Sequence, residues 1–259
     1  TPDILYDLKN LNKNLTISQW NEDPLMNNTH ETKSNNLKLK NYFPFVDHSF
    51  ITTSPSVLNI SSKYKSNVHF FMTPVDKNIE CFDVYKYKPE NDLFYAMSHG
   101  VNRATLKTGK IDERVIFLKK LIRKIRDIKY DFYGFDKQEP IWGNDFYRSL
   151  INSKMALNLS RGRPIKHYSS NRIASLMGNG LLVFIDKKTQ MNDFFSSKEI
   201  IFYSNIDDLS DKIKFYAKHD RLRNIVSKNG KNKYFKLFNE YKISKFIIDR
   251  SFGKNTVLF

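Results

Sequence analysis

Four cations crowd one short stretch of the chain. Arg161, Arg163, Lys166 and Arg172 all fall between two apolar runs, residues 155–159 and 181–185. Each run has the length of a buried strand. Ser169, Ser170 and Asn171 offer successive N-cap residues to a short helix opening at Arg172, and Gly178 and Gly180 stop it. Strand, basic loop, capped helix, glycine turn and strand is the layout of a βαβ unit in a parallel sheet. Ligands of such sheets bind off the carboxyl ends of the strands, where helix N-termini favour anions. Guanidinium and ammonium groups placed there read as a phosphate site. Arg172 stands in the first helical turn, where a cation opposes the helix dipole by about 0.3–1 kcal/mol unless an anion compensates it. On that reading its removal leaves the fold intact or slightly more stable. The competing reading pairs it with a surface carboxylate such as Asp186.

Two further groups have the chemistry of a site. Ser98, His99, Gly100, Asn102 and Arg103 follow a predicted strand over residues 92–97, and Lys107 and Lys110 add positive charge to an anion-binding turn. We expect this loop and residues 161–171 to line one cleft at the strands' carboxyl ends. Glu22 and Asp23 end a predicted strand at 15–20, where a carboxylate can act as a base or an acceptor contact. A turn initiated by Asp23-Pro24 accounts for them equally. His99 and His167 are candidates for polar roles, each with a plain surface histidine as the alternative. Leu176 and Met177 read as core. No Gly-x-Gly-x-x-Gly, Walker sequence, His-Glu-x-x-His or cysteine pair is present, so no metal site and no cofactor are expected.

Composition bounds the partners. At 259 residues with 40% hydrophobic content, the chain can bury one large core or two small ones. No apolar run approaches a membrane span, and no secretory signal opens the chain. The single cysteine, Cys81, excludes an intramolecular disulfide framework and is compatible with the cytoplasm. Net charge is +16, and all of it lies beyond residue 90, because the first 90 residues balance ten lysines against ten carboxylates. That asymmetry points to an anionic partner: nucleic acid, a membrane surface or a phosphorylated ligand. A merely solvated basic surface explains many of the lysines as well.

The elements that must hold these residues alternate. Helices are predicted over 3–12, 112–128, 143–152, 207–218, 220–229 and from 231, with a last helical pattern over 241–252 carrying Ile243, Phe246, Ile247 and Phe252. Strands are predicted over 15–20, 43–53, 68–71, 92–97, 131–135, 155–159, 181–185 and 199–203, and residues 27–40 read as loop. The fold class is therefore α/β, with a doubly wound parallel sheet from residue 92 onward. Only two or three strands precede residue 80. We expect that the chain lacks its natural N-terminus or carries a much reduced first domain.

With these residues laid out, the second half resembles the carboxyl-terminal domain of GT-B glycosyltransferases, particularly the CgeB-like (spore maturation protein) group. The blocks that carry the resemblance are Phe94-Tyr-Ala-Met-Ser-His-Gly, Tyr133-Gly134, the run from Tyr147 to Ser160, the run from Ser170 to Val183, Glu199-Ile-Ile-Phe-Tyr, and Asp208-Leu with Lys212-Ile213 and Tyr216. The resemblance implies a GT-B-like fold: a partial, acceptor-side α/β domain over 1–85, a Rossmann-like nucleotide-sugar domain over 86–240, and a helix at 241–259 returning to the first. It implies a glycosyltransferase that moves a sugar, a hexose or a relative, from a nucleotide-sugar to a glycan or lipid-linked acceptor in cell-surface polysaccharide biosynthesis. Its place would be the cytoplasm or the inner face of the membrane, with peripheral membrane contact and no nucleic-acid partner. Arg103 and Lys107 would face the diphosphate, and Arg172 and its helix start the phosphate or ribose. The remaining donor contacts would come from Ser98, Gly100, Asn102, Arg161, Lys166, His167, Tyr168, Ser169, Ser170, Asn171 and Ser175. Asp23, Glu22 and His99 are the catalytic candidates.

The chain departs from the retaining GT-B pattern of two glutamates eight residues apart. The corresponding positions are His167 and Ser175, neither a carboxylate. Two other readings compete: a GT-B-like binding domain without catalysis, which the missing glutamates favour, and a basic nucleic-acid-binding module built on residues 119–129. The latter segment has an apolar face and few aromatics for stacking, unlike single-strand binders.

Overall fold

The computed structural model describes residues 2–25, 30–98 and 111–259, the side chains of residues 30–32 excepted. The chain divides into two compact units. One comprises Thr1–Pro74, Ile165–Asn171 and Leu237–Phe259, and the other Val75–Pro164 and Arg172–Lys236.

The second unit is built on a five-stranded parallel sheet of β4 (Asn91–Ala96), β5 (Tyr130–Tyr133), β6 (Ser153–Asn158), β7 (Leu182–Asp186) and β8 (Ile201–Tyr203). Their spatial order is β5-β4-β6-β7-β8. Near-continuous burial along β4, β6 and β7 is what a parallel sheet covered on both faces requires. The crossovers carry α4 (Glu113–Lys124), α5 (Gly143–Ile151), α6 (Arg172–Gly178) and, after β8, α7 (Ile206–Lys218). Val115, Leu118 and Leu121 of α4 join Leu93, Tyr95, Met155, Leu157, Phe184, Leu209 and Ile213 in one core cluster. The first residue of the α4 cap is Asp112, whose side chain accepts from Arg114 N–H. Asn205 caps α7 in the same way, bonding the N–H groups of Asp207 and Asp208.

The glycine turn after α6 is set by close packing. A Cβ on Gly178 would lie 2.5 Å from Cγ of Glu80, and one on Gly180, at φ +78°, would lie 2.7 Å from the Tyr85 ring. Between them the fully buried Asn179 accepts from Phe82 N–H and donates to the Ser175 carbonyl.

The first unit has a three-stranded parallel sheet in the order β1 (Ser18–Asn21), β2 (His48–Ile51), β3 (Val68–Phe70). α1 (Pro2–Leu11) precedes β1. Within residues 27–40, expected to be loop, the described part from residue 30 belongs to α2 (His30–Tyr42) instead. Its sequence is polar and has almost no apolar stripe. Leu39 and the following Phe43 nevertheless insert into a cluster with Leu25, Ile51, Leu58 and Val68, so burial of a few side chains outweighs weak local preference. A short helix, α3 (Ser62–Lys65), leads into β3. The carboxyl-terminal α9 (Glu240–Ser251) lies on this sheet: the Phe246 ring stands 5.9 Å from Phe50 and 6.1 Å from His69, and the Ser18 and Ser251 hydroxyls are 2.6 Å apart. His48 Nδ1 and His69 Nε2 are 3.1 Å apart beneath Phe246, and burial pushes His69 down to about 4.

The expected break near residue 230 is absent. α8 (Asp220–Phe238) runs unbroken through Gly230. A Cβ there would meet the Glu199 carbonyl oxygen at 2.3 Å, so the glycine admits the backbone before β8 against the helix. Gly230→Ala should therefore destabilise the protein by about 1–3 kcal/mol through overpacking, despite the roughly 1 kcal/mol better helix propensity of alanine. Urea denaturation monitored by circular dichroism measures the sign.

Candidate functional site

Chain order 2-1-3-4-5 in the second unit reverses direction between β4 and β6, the topological switch point where open α/β sheets bind ligands. The side chains gathered at the carboxyl ends of these two strands are strongly cationic. Tyr95, near the end of β4, donates its hydroxyl to the Leu159 carbonyl at 3.1 Å, just past β6. Arg172 NH1 donates to the same carbonyl at 3.1 Å, and its guanidinium stands 5.2 Å from the centre of the Tyr95 ring. Asp112 is fully buried and takes three side-chain bonds from Arg114, the shortest 2.7 Å from NH2. Arg161 Nε lies 3.6 Å from the same carboxylate. Arg114 also reaches the Tyr95 side chain, which links the two halves of the cluster.

Burial works against both charges of the Asp112–Arg114 pair. Their mutual bonds outweigh it, holding the Asp112 carboxyl below the usual carboxylate range and raising Arg114. Two guanidinium groups thus share one buried carboxylate, and a third, that of Arg172, stands nearby on Leu159 and Tyr95. An arrangement with surplus positive charge, partly withdrawn from solvent, favours a polyanion.

Of the residues singled out in the sequence, Ser98, Arg161, the exposed Arg163, Arg172 and Ser175 belong to this unit. Ser98 is exposed just beyond β4, and Ser175 sits in the second turn of α6 with its carbonyl bonded to Asn179. His99, Gly100, Asn102, Arg103 and Lys107 lie outside the described residues. Tyr95, Asp112 and Arg114 were not singled out. Asp112 two residues before an arginine at the head of an amphipathic helix was the available signal.

Residues 165–171 pack within the first unit, over the carboxyl ends of its strands. The Lys166 carbonyl accepts from Ser54 N–H beyond β2. His167, at φ +59°, places its ring 5.3 Å from Phe70 at the end of β3. Asn171 Oδ1 accepts from Thr73 Oγ1 at 3.4 Å. Tyr168 and Ser169 are buried, Ser169 donating to the Ser170 carbonyl. The buried Ser170 Oγ has no partner among the described residues. Glu22 and Asp23 follow β1 at the same end of this sheet. Glu22 accepts from the Trp20 indole at 2.9 Å, while the Asp23 carboxylate is exposed and its N–H is held by Asn21 Oδ1. Among the described residues no group of three or more His, Cys, Asp or Glu could hold a metal ion, and no helix is long and apolar enough to cross a membrane.

A family model described as glycosyl transferase-like matches residues 114–244. No curated protein sequence matches the chain closely. In three dimensions the chain is similar to TarM of S. aureus, with 14% identity and a TM-score of 0.67 over 98% of this chain and 53% of TarM. It is similar also to Anabaena Alr3699/HepE, solved in complex with UDP and glucose, at 10% identity and a TM-score of 0.64 over 98% of this chain and 76% of that one. An alpha-glucosyltransferase solved with UDP-glucose and DNA containing an abasic site gives 13% identity and a TM-score of 0.64, covering 96% and 75%. At these identities the likeness shows the fold, which is GT-B. The chain spans about half the length of TarM and about three quarters of the other two.

The cluster's internal bonds carry a first test. Tyr95→Phe removes the hydroxyl that holds the Leu159 carbonyl but keeps the ring under Arg172. It should cost about 0.5–1.5 kcal/mol of stability, the worth of one hydrogen bond, as read from a denaturant midpoint at unchanged slope.

Proposed function

Because the chain belongs to the glycosyl transferase-like family, we propose that it transfers a sugar from a nucleotide-sugar donor to a glycan or lipid-linked acceptor. The observation that carries this is the cationic cluster of Arg161, Arg172 and Arg114 at the switch point of the five-stranded sheet. A donor's diphosphate supplies the anionic partner such a cluster favours. Guanidinium groups bind phosphate oxygens in bidentate fashion and stabilise the charge that develops as the diphosphate departs. No metal ion is required for that role. Similar structures solved with UDP or UDP-glucose support the choice of donor class. Within the family the chain is assigned to the CgeB-like group, with hexosyl transfer, cell-surface polysaccharide as the product, and work at the cytoplasmic face of a membrane held by peripheral contact.

Donor contacts are assigned to Ser98, Arg161, Arg172 and Ser175 on the second unit, and to Gly100, Asn102, Arg103 and Lys107, which follow Ser98 in sequence. Lys166, His167 and Tyr168 are assigned to the sugar end of the donor, and Ser169, Ser170 and Asn171, at the start of the Arg172 helix, to its phosphate or ribose. The base that takes the acceptor hydroxyl's proton is assigned to Asp23, because its carboxylate is exposed while that of Glu22 is engaged by Trp20. Glu22 and His99 are the other candidates.

Calorimetric titration with UDP, GDP and ADP tests the donor reading: one should bind, and binding of none overturns it. Arg172→Ala should weaken that binding by about 1.5–3 kcal/mol, as for a charge-assisted hydrogen bond. Its effect on the fold differs from the expectation drawn from helix charge alone. Arg172 also holds the Leu159 carbonyl and covers Tyr95, so a loss of about 1 kcal/mol in stability is expected. Asp23→Asn should leave diphosphate affinity unchanged and slow sugar transfer by about 100-fold or more, as loss of a general base does. Transfer at the wild-type rate in that variant removes Asp23 from the chemistry.

A further inference from the structure

We propose that a cavity flanking β8, at the far edge of the five-stranded sheet, is a binding site for an acidic saccharide chain. That this saccharide is the acceptor rests on the glycosyl-transfer reading above. The cavity has a volume of about 580 Å³, inside the roughly 300–1,000 Å³ range of small-molecule sites. It is lined by Ile201 and Phe202 of the edge strand and by Phe215 and Tyr216 of α7. Lys187 and Ser204, directly beyond the carboxyl ends of β7 and β8, line it too. The cavity therefore lies toward the same edge of the sheet as the cationic cluster. β6 and β8 are two strand spacings apart, about 10 Å.

Most polar groups of this cavity are uncommitted. The side chains of Lys187, Asn192, Ser197, Ser204 and Tyr216 make no hydrogen bond or salt bridge among the described residues. Burial alone pushes the Tyr216 phenol up, with no bond to offset it. Lys212, by contrast, donates to the Phe202 carbonyl at 2.8 Å and pairs with Asp208 at 2.7 Å. Burial works against the Asp208 charge. Its bonds from Lys212 and the Ser204 N–H, with the charges of Lys212 and Lys187, outweigh that and hold the carboxyl below the usual range. Two ammonium groups around one carboxylate leave one positive charge over, which an anionic group on the ligand complements. Hydroxyl, amide and phenol groups supply the mixed donors and acceptors that sugar hydroxyls require.

The rings select a sugar over other ligands. Phe215 is 44% exposed, and the His219 ring already stacks on one of its faces, 4.0 Å away and 19° from parallel. The Tyr216 ring stands at 90° to Phe215, 5.1 Å away. No slot between parallel rings is left for a flat base. Two rings at a right angle instead form a corner that suits the puckered C–H face of a pyranose. An alkyl chain would strip water from the polar side chains around it and give them no partner. A peptide strand added to the edge of β8 is obstructed by the Lys212 ammonium on the Phe202 carbonyl.

An NMR titration with two probes tests the site: a hyaluronan tetrasaccharide, with a carboxylate on alternate sugars, and neutral maltotetraose. The wild type should bind the hyaluronan fragment, and maltotetraose about 10-fold more weakly, the worth of one charge-assisted hydrogen bond. Lys187→Ala should abolish that preference. Phe215→Ala should weaken both sugars about 5-fold, as loss of an aromatic contact does. Because the chain carries a net charge of +16, the exposed Lys120 of α4 serves as the control, and Lys120→Ala should change nothing. Nucleoside diphosphate affinity should be the same in all three variants. No binding of the hyaluronan fragment by the wild type, or full affinity for it in Phe215→Ala or Lys187→Ala, overturns the site. So does a loss in Lys120→Ala equal to that in Lys187→Ala. If a nucleoside diphosphate binds while the hyaluronan fragment does not, the donor reading stands and this site falls. If the fragment binds through Lys187 and Phe215 while no diphosphate binds, the saccharide site stands and the donor reading falls.

Discussion

Parallel strands cannot be joined by a tight turn, and that constraint governs both units of this molecule. Every strand of the five-stranded sheet must be followed by a crossover that returns over one face before the next strand begins. All the carboxyl ends therefore point one way. Because β5 is laid on one side of β4 and β6 on the other, the crossovers after β4 and β6 leave on opposite faces and open a gap between those two strands. Tyr95, Leu159 and Arg172 meet there because of the strand order, with 77 residues separating the first from the last. The chemistry of the site is a consequence of the winding.

Charge is managed at that gap by geometry. One buried carboxylate braces Arg114 and pairs with Arg161, while Arg172 is held by a carbonyl and an aromatic face, contacts that carry no formal negative charge. The positive surplus is thus retained. Gly178 and Gly180, close to Arg172 in sequence, serve a different end: they let residues 75–85 pack against the turn after α6. Glycines near a cluster of cations are easily read as phosphate-cradling, and here they are spacers for packing.

The sequence made the second unit readable because its elements are locally consistent. Apolar runs of strand length, the helical pattern beginning at residue 112 and a glycine turn after α6 all agree with the structure. α2 was not readable, since its helical state depends on Leu39 and Phe43 reaching a cluster drawn from four other segments. Gly230 was misread for a related reason. A glycine that ends a helix and one that admits a neighbouring backbone look alike until the Glu199 carbonyl is seen above it. Arg161 and Arg172 were legible as neighbouring cations at the strand ends from type and spacing. Asp112 and Arg114 were not, because a cap with a buried ion pair resembles any capped helix. The membership of residues 165–171 in the first unit, within a loop whose two ends belong to the second, leaves no trace in composition.

That interleaving bears on the order in which the molecule can be made. The first unit draws on the opening 74 residues, on a seven-residue piece from the middle of the chain and on the last 23 residues. A ribosome delivers these pieces far apart in time, as synthesis proceeds at roughly 5–20 residues per second. The second unit has its whole sequence available once Lys236 has emerged, whereas β2 and β3 wait for Phe246 to cover Phe50 and His69. The first unit therefore completes its packing after the second has all its residues, and until α9 arrives Phe50 and His69 lack the ring that covers them.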